Sequence, residues 1–298
     1  MVLKCSFCVF ISMAGILGVR GHILVKAATR QGRLLMRSIT SNCPKPYNVP
    51  DGPWGLNRAA RLELAAAYRG LDHLGLNEGT NNHLSVMAPR ADGNGEVMLV
   101  FPEGLHWREV TASNLVGLDR EAKTVEGEGA PETTASCIHL SIHKKRPGTP
   151  VVMHTHQPYI TALASLEDFE LRLVHQNSLL FWNRVAYDHN YQGLAFSFEE
   201  GERMAKILGD KDILLLANHG VLTVAPTISM AFDNLYYLER AAMVQMLTMA
   251  TQRKLREVPE EVVSAMHPQY MQRAQHYADI HFYAIYRLLQ KWQPDFET

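Results

Sequence analysis

Acidic residues are missing from the first fifty positions. No Asp or Glu precedes Asp51, while Lys4, Arg20, Lys26, Arg30, Arg33 and Arg37 punctuate the segment. An acid-poor, Arg-containing leader is expected of a mitochondrial targeting segment or an upstream extension. The apolar stretch from Cys5 to Val19 has secretory-signal length but is too short to span a membrane. A cytoplasmic or mitochondrial location is therefore expected over secretion. Cysteine is scarce: Cys5, Cys8, Cys43 and Cys137 are too few and too scattered for a disulfide framework, which points to a reducing compartment. The Cys5-x-x-Cys8 spacing suits zinc or redox chemistry, but it lies in the leader and is set aside. Net charge is nearly absent as well. At −1, with both signs mixed along the body, the chain lacks the basic stripe of a nucleic-acid binder. Beyond the leader no apolar run is long enough to cross a membrane, and there are no internal repeats.

What is present is an ordinary globular composition, 47% hydrophobic and 20% charged over 298 residues. Residues 1–50 read as an extension or targeting segment, 51–260 as one folded domain, and 261–298 as a helical C-terminal appendage. The Pro/Gly-rich run from Asn42 to Gly55 reads as a linker. An Ala/Leu-rich amphipathic repeat predicts a helix from Asn57 to Leu74. Strands are predicted at His83 to Met87, in "GEVMLV" and in "VTASNLVGLD", and a helix within "PETTASCIHLSIHKK". The strand "VVMHTH" follows, then a helix from Pro158 and strand candidates "LRLVHQ" and "RVAYDH". Ser197 and Gly209 bracket a helix as cap and stop. "DILLLANHGVLTV" reads as an apolar strand interrupted at Asn218-His219-Gly220, ahead of a long helix from Thr227 to Lys254 and one or two more after Pro259. Interleaved strands and helices imply α/β layers over a single core.

With 14 histidines in the chain, a His-x-His pair is nearly supplied by chance. Position gives His154 and His156 their weight. Residues i and i+2 of a strand point to one face, about 6.5–7 Å apart, so both imidazoles can reach one ion. His219 is the natural third ligand, because an unpaired imidazole is costly inside an apolar segment and Gly220 frees the backbone beside it. Three neutral histidines leave a divalent ion its full charge and an open coordination position, as in catalytic sites. His139 and His143, spaced i and i+4 on a helix, are expected to face solvent or pack locally.

The runs "GLNEGTNNHLSV", "FPEG", "HLSIHKKRPGTPVVMHTH" and "LLLANHGVLTV", in this order from about Arg58 to Ala250, resemble the class II aldolase/adducin family. The resemblance implies a three-layer α/β/α fold with a central, largely antiparallel sheet. It also implies a divalent metal, Zn2+ first with Fe2+ or Mn2+ as alternatives, on His154, His156 and His219. The family's aldolases carry a catalytic glutamate where this chain has Ala135, so Glu132 and Glu103 become the candidates for moving a proton. In place of the aldolases' phosphate-binding Gly-Asn and paired serines stand Asn82, His83, Thr133 and Thr134. Asn82, Thr133 and Thr134, with Thr80, are the expected substrate-binding residues, and a sugar phosphate is not the expected substrate. These departures lean toward the adducin-like branch. The expected function is metal-dependent lyase, decarboxylase or isomerase-type chemistry on a small oxygenated carbonyl compound, through an enolate, in a homo-oligomer such as a tetramer. The alternative is a non-catalytic adducin-like domain that binds actin-linked or other proteins. The lysine-rich tail of adducins has no counterpart in "QPDFET", which weighs against it.

Overall fold

The computed structural model describes residues 45–46 and 54–298. The expected leader, with Cys5, Cys8 and Cys43, lies outside the described residues.

Among the described residues, eight strands form one sheet in the order β4-β3-β2-β1-β5-β8-β7-β6. They are β1 (His83–Pro89), β2 (Glu96–Val100), β3 (Val116–Leu118), β4 (Thr124–Glu126), β5 (Val151–Thr155), β6 (Val185–Asp188), β7 (Ile213–Leu216) and β8 (Gly220–Ala225). Every neighbouring pair is antiparallel except β6 and β7. The helices are α1 (Arg58–His73), α2 (Thr133–Lys145), α3 (Pro158–Ala164), α4 (Phe198–Leu208), α5 (Ile228–Met249) and α6 (Glu260–Trp292). None of the described helices is long and apolar enough to cross a membrane.

Strand alternation divides the apolar residues between two faces. Val151 and Met153 of β5 join Val221 of β8, Leu84 of β1, and the apolar sides of α1, α3 and α5 in the larger core. Val152, with Leu222 and Val224, turns the other way, onto Ile138 and Ile142 of α2 and Met204 and Leu208 of α4. The result is the three-layer α/β/α arrangement with a central, largely antiparallel sheet. The last turns of α6 bury Phe282, Tyr286 and Leu289, and the tail after it buries Phe296, all in the larger core.

Helix ends follow the sequence closely. Ser197 accepts a hydrogen bond from the Glu200 amide at 3.4 Å, and Gly209 ends α4 with a φ of 58°. Thr227 caps α5 through the Met230 amide. After Pro259 a single helix runs on despite Pro268 within it. α4 lies unusually close to α2: a Cβ built on Gly201 would sit 2.1 Å from the Cys137 carbonyl oxygen.

Three local expectations are corrected. "LRLVHQ" is not a strand, because other groups take its backbone bonds: the Tyr187 hydroxyl accepts from Leu171 N–H, Gln245 from Arg172 N–H, and the Val258 amide donates to Leu173. "VTASNLVGLD" holds a strand only at Val116–Leu118, since Thr111 and Asn114 bond each other into a turn just before it. The "DILLLANHGVLTV" segment is two strands of a hairpin, β7 and β8, with Ala217, Asn218 and His219 as its turn. Asn218 takes a φ of 52° there, a conformation that asparagine tolerates better than most residues.

Candidate metal centre

Strands β1, β5 and β8 lie side by side at the centre of the sheet, and their ends bring histidines together. His154 is opposite His83 of β1 and Leu222 of β8. His156 lies two residues on, just past the end of β5, and His219 sits in the β7–β8 turn. Each of His154, His156 and His219 offers one ring nitrogen within 4.8 Å of the others. Their ring centroids are 4.7–4.9 Å apart. Gly220 matters here for space rather than for φ. A Cβ on it would fall 2.5 Å from the Thr155 carbonyl oxygen and 2.7 Å from Cδ2 of the His156 ring.

Hydrogen bonds fix which nitrogen is free in two of the three rings. His154 donates its Nδ1–H to the Val221 carbonyl at 3.0 Å. His156 donates its Nδ1–H to the Glu78 carboxylate. Their Nε2 atoms are thereby aimed at each other, 3.1 Å apart. Two facing lone pairs at that distance call for a cation, either a proton on one ring or a metal ion beside both. The third ring, from His219, converges on the same point, which suits the metal. Tetrahedral zinc with bonds of 2.0–2.1 Å sets its nitrogens about 3.3 Å apart. The residues therefore fit a divalent ion. Burial, and after it the neighbouring His219, His83, His156 and His139, holds His154 well below the usual imidazole range. Burial first, then His156, lowers His219 to about 4, against a smaller upward pull from Glu200, Glu78 and Asp188. Both rings are thus neutral near neutral pH, as ligation requires.

Beneath this trio lies a second set of histidines. His139 and His143 share one face of α2, and His83 and Ser85 share one face of β1. The two pairs interleave. His83 Nδ1 is 2.8 Å from His139 Nε2, His139 Nδ1 is 2.6 Å from Ser85 Oγ, and Ser85 Oγ is 2.9 Å from His143 Nε2. A neutral imidazole donates through one nitrogen and accepts through the other, so these three bonds can all form with every ring uncharged, and only the buried His143 Nδ1 at the end of the row lacks a side-chain or backbone hydrogen bond of good geometry. Burial is the leading cause that lowers His83 and His143 to about 3 and His139 well below its usual value. Of the two expectations for His139 and His143, solvent exposure is wrong and local packing is what occurs.

The remaining candidates separate. Glu132 caps α2, accepting from the Ala135 amide at 3.2 Å and from the Thr134 hydroxyl. His83 Nε2 lies 3.3 Å from that hydroxyl and 3.8 Å from the Glu132 carboxylate. Asn82 is buried, and its Oδ1 accepts the His156 amide at 3.1 Å. Glu103 occupies an exposed turn where its amide bonds the Ala130 carbonyl, and Thr80 and Thr133 are exposed. Ala135 is fully buried at the start of α2 and brings no ionisable group. Sequence reasoning did not select Glu78, His83 or Tyr191, whose ring lies 6.0 Å from His219. The turn cluster holding Glu78 and His83 was visible, but its return to His156 spans more than seventy residues and leaves no trace in local spacing.

Comparison with known proteins gives a consistent outcome. Residues 62–246 match the family described as the class II aldolase and adducin N-terminal domain. The chain is 34% identical over 197 residues to an adducin-related protein of Schizosaccharomyces pombe, covering 63% of this chain and 58% of that protein. The alignment thus spans little more than half of that relative. Among solved structures, an aldolase II superfamily protein from Pseudomonas syringae superposes with a TM-score of 0.74 at 30% identity, over 83% of this chain and 98% of that one. The L-fuculose 1-phosphate aldolase from Glaciozyma antarctica superposes with a TM-score of 0.71 at 26% identity, over 80% and 92%.

Proposed function

The chain belongs to the class II aldolase and adducin family, and from that premise we propose that it is a metal-dependent enzyme of the lyase, decarboxylase or isomerase type. Its substrate is a small oxygenated carbonyl compound that reacts through an enolate. The observation that carries this reading is the pair of facing Nε2 atoms, 3.1 Å apart, with His219 converging on them. His154, His156 and His219 hold the ion, Zn2+ by the chemistry of the donor set, with Fe2+ and Mn2+ compatible with imidazole ligands. A divalent ion on three neutral ligands supplies Lewis-acid stabilisation of negative charge on a carbonyl oxygen.

The chain's own residues supply the rest. Burial of His154 keeps that imidazole neutral and available. Two carboxylates reach the histidines, Glu78 at His156 of the trio and Glu132, through Thr134, at His83 of the neighbouring row. Glu132 is the group next to His83 that can hold a proton at the carboxylate where Ala135 offers none. Tyr191 stands beside His219, and Leu194, Phe196 and Phe198 are exposed near it in sequence, which supports a homo-oligomer.

Metal analysis of the purified chain is the direct test. Stoichiometric divalent metal, lost together with turnover of small hydroxy-carbonyl compounds in His154→Ala, is the expected result. A metal-free chain whose stability is unchanged by His154→Ala would overturn the proposal. A second reading, a non-catalytic protein-binding module with actin-linked partners, is favoured by one observation, the buried alanine at 135. Co-sedimentation with F-actin at physiological salt checks it, and absence of binding would remove it.

A further inference from the structure

The three candidate ligands are not held alike. His154 lies within the β5 ladder, and its ring is tied to the Val221 carbonyl. His219 sits in a tight hairpin turn whose flanking residues pair across β7 and β8. His156 has neither support, because the ladder ends at Thr155. Two bonds from the turn ahead of β1 take its place: Asn82 Oδ1 accepts the His156 amide, and the Glu78 carboxylate accepts Nδ1–H. The turn shapes itself. The Asn81 amide bonds the Glu78 carbonyl at 2.9 Å, Gly79 has a φ of 58°, and Asn82 has a φ of 71°. Glycine and asparagine are the residues that adopt such backbone at least cost.

We infer that Glu78 is a positioning residue that holds the His156 ring in its ligating tautomer and makes His156 the releasable claw of the metal site. This rests on the metal-binding reading of the three histidines. A carboxylate on the far nitrogen of a ligating histidine fixes its tautomer and orientation and raises its basicity, and loss of such a partner costs 10–100-fold in metal affinity. Glu78 suits an adjustable role, since its side chain is 55% exposed and it packs in no core. Asn82, which is buried, fixes only the backbone of His156 and leaves the ring free to turn. With Glu78 removed, the Nδ1–H bond is lost while the fold keeps all its buried contacts.

The experiment compares metal-stripped wild type with Glu78→Ala, Glu78→Gln and His219→Ala. Zn2+ is titrated in competition with a chromophoric chelator, and Co2+ loading is followed by its visible absorption. The expected result is 10–100-fold weaker Zn2+ binding in Glu78→Ala, with altered Co2+ bands as His156 disengages. Glu78→Gln, which keeps an oxygen acceptor, should fall between it and wild type. Thermal melts of the metal-free proteins should coincide, which separates positioning from folding. Zn2+ affinity within twofold of wild type in Glu78→Ala, with binding abolished in His219→Ala, would overturn the role of Glu78 and leave the metal reading standing. A wild-type chain that takes up neither ion would overturn both.

Discussion

Two groups of three histidines lie a few ångströms apart and differ in what their second nitrogens do. In the row formed by His83, His139 and His143, ring meets ring or hydroxyl along a continuous line of hydrogen bonds through Ser85. In the trio formed by His154, His156 and His219, a carbonyl and a carboxylate occupy the outer nitrogens of the first two rings, and the inner nitrogens face one another. Burial lowers the proton affinity of rings in both groups. Burial by itself therefore does not distinguish them. The distinction lies in where the lone pairs point: along the row each inner nitrogen has a donor or acceptor, whereas two Nε2 lone pairs of the trio face one another, as around an ion.

The contrast can be broken at either side, and the largest effect should come from the row. His139→Ala removes the ring bonded to both His83 and Ser85, so that His83 Nδ1 and one bond of the Ser85 hydroxyl lose their partner and a cavity opens. Urea denaturation should show a loss of about 4 kcal/mol. Zn2+ affinity of the folded variant should stay within tenfold of wild type, and a greater loss would show that the two groups are one unit. The next effect belongs to the trio. Zn2+ at about 100 times its dissociation constant should stabilise the wild-type chain by about 2.7 kcal/mol, and His219→Ala should abolish that gain in a thermal melt.

Acid supplies the third comparison. His143 titrates at about 3 in the folded chain against 6.5 ordinarily, with burial as the leading cause. As pH falls through 6.5 the unfolded chain takes up a proton that the folded chain refuses, so its contribution is full above 6.5 and is lost progressively toward 3. Between about pH 8 and about pH 5 that loss is about 2 kcal/mol, and His143→Gln should flatten the stability profile by one proton over this range. An unchanged slope would mean that His143 is not a neutral, buried member of the row. The smallest effect is expected for Ser85→Ala, about 1 kcal/mol from the broken bridge between His139 and His143, read by denaturant melting with Zn2+ uptake unaltered.

Much of this is legible in the sequence. The i, i+2 spacing of His154 and His156 is itself a geometric statement once the segment is read as a strand, and His219 announced itself as the polar residue in an apolar run. Ser197, Gly209 and Thr227 marked helix ends because capping is local chemistry. What stayed hidden depends on distant partners. Glu78 acquires meaning only through His156, and His139 only through Ser85 and His83, contacts that cross from one element to another. The run "LRLVHQ" has strand composition, but its amides and carbonyls are claimed by Tyr187, Gln245 and Val258 before a neighbouring strand can claim them. The β7–β8 hairpin reads in sequence as a strand interrupted at Asn218-His219-Gly220, because its turn is only three residues long and includes the candidate ligand itself.

Gly201 carries a consequence for the buried row. Its missing side chain lets α4 rest against the Cys137 carbonyl, and α2 carries His139 and His143 on turns that follow directly after Cys137. The glycine therefore works as a gauge that sets how closely α4 and α2 approach each other. One methyl group inserted there is a shim: it pushes against α2 itself, and the row's contacts of 2.6–2.9 Å leave little room for the helix to shift. Alignment of three histidines is thus adjustable from a helix that supplies no residue to either histidine group.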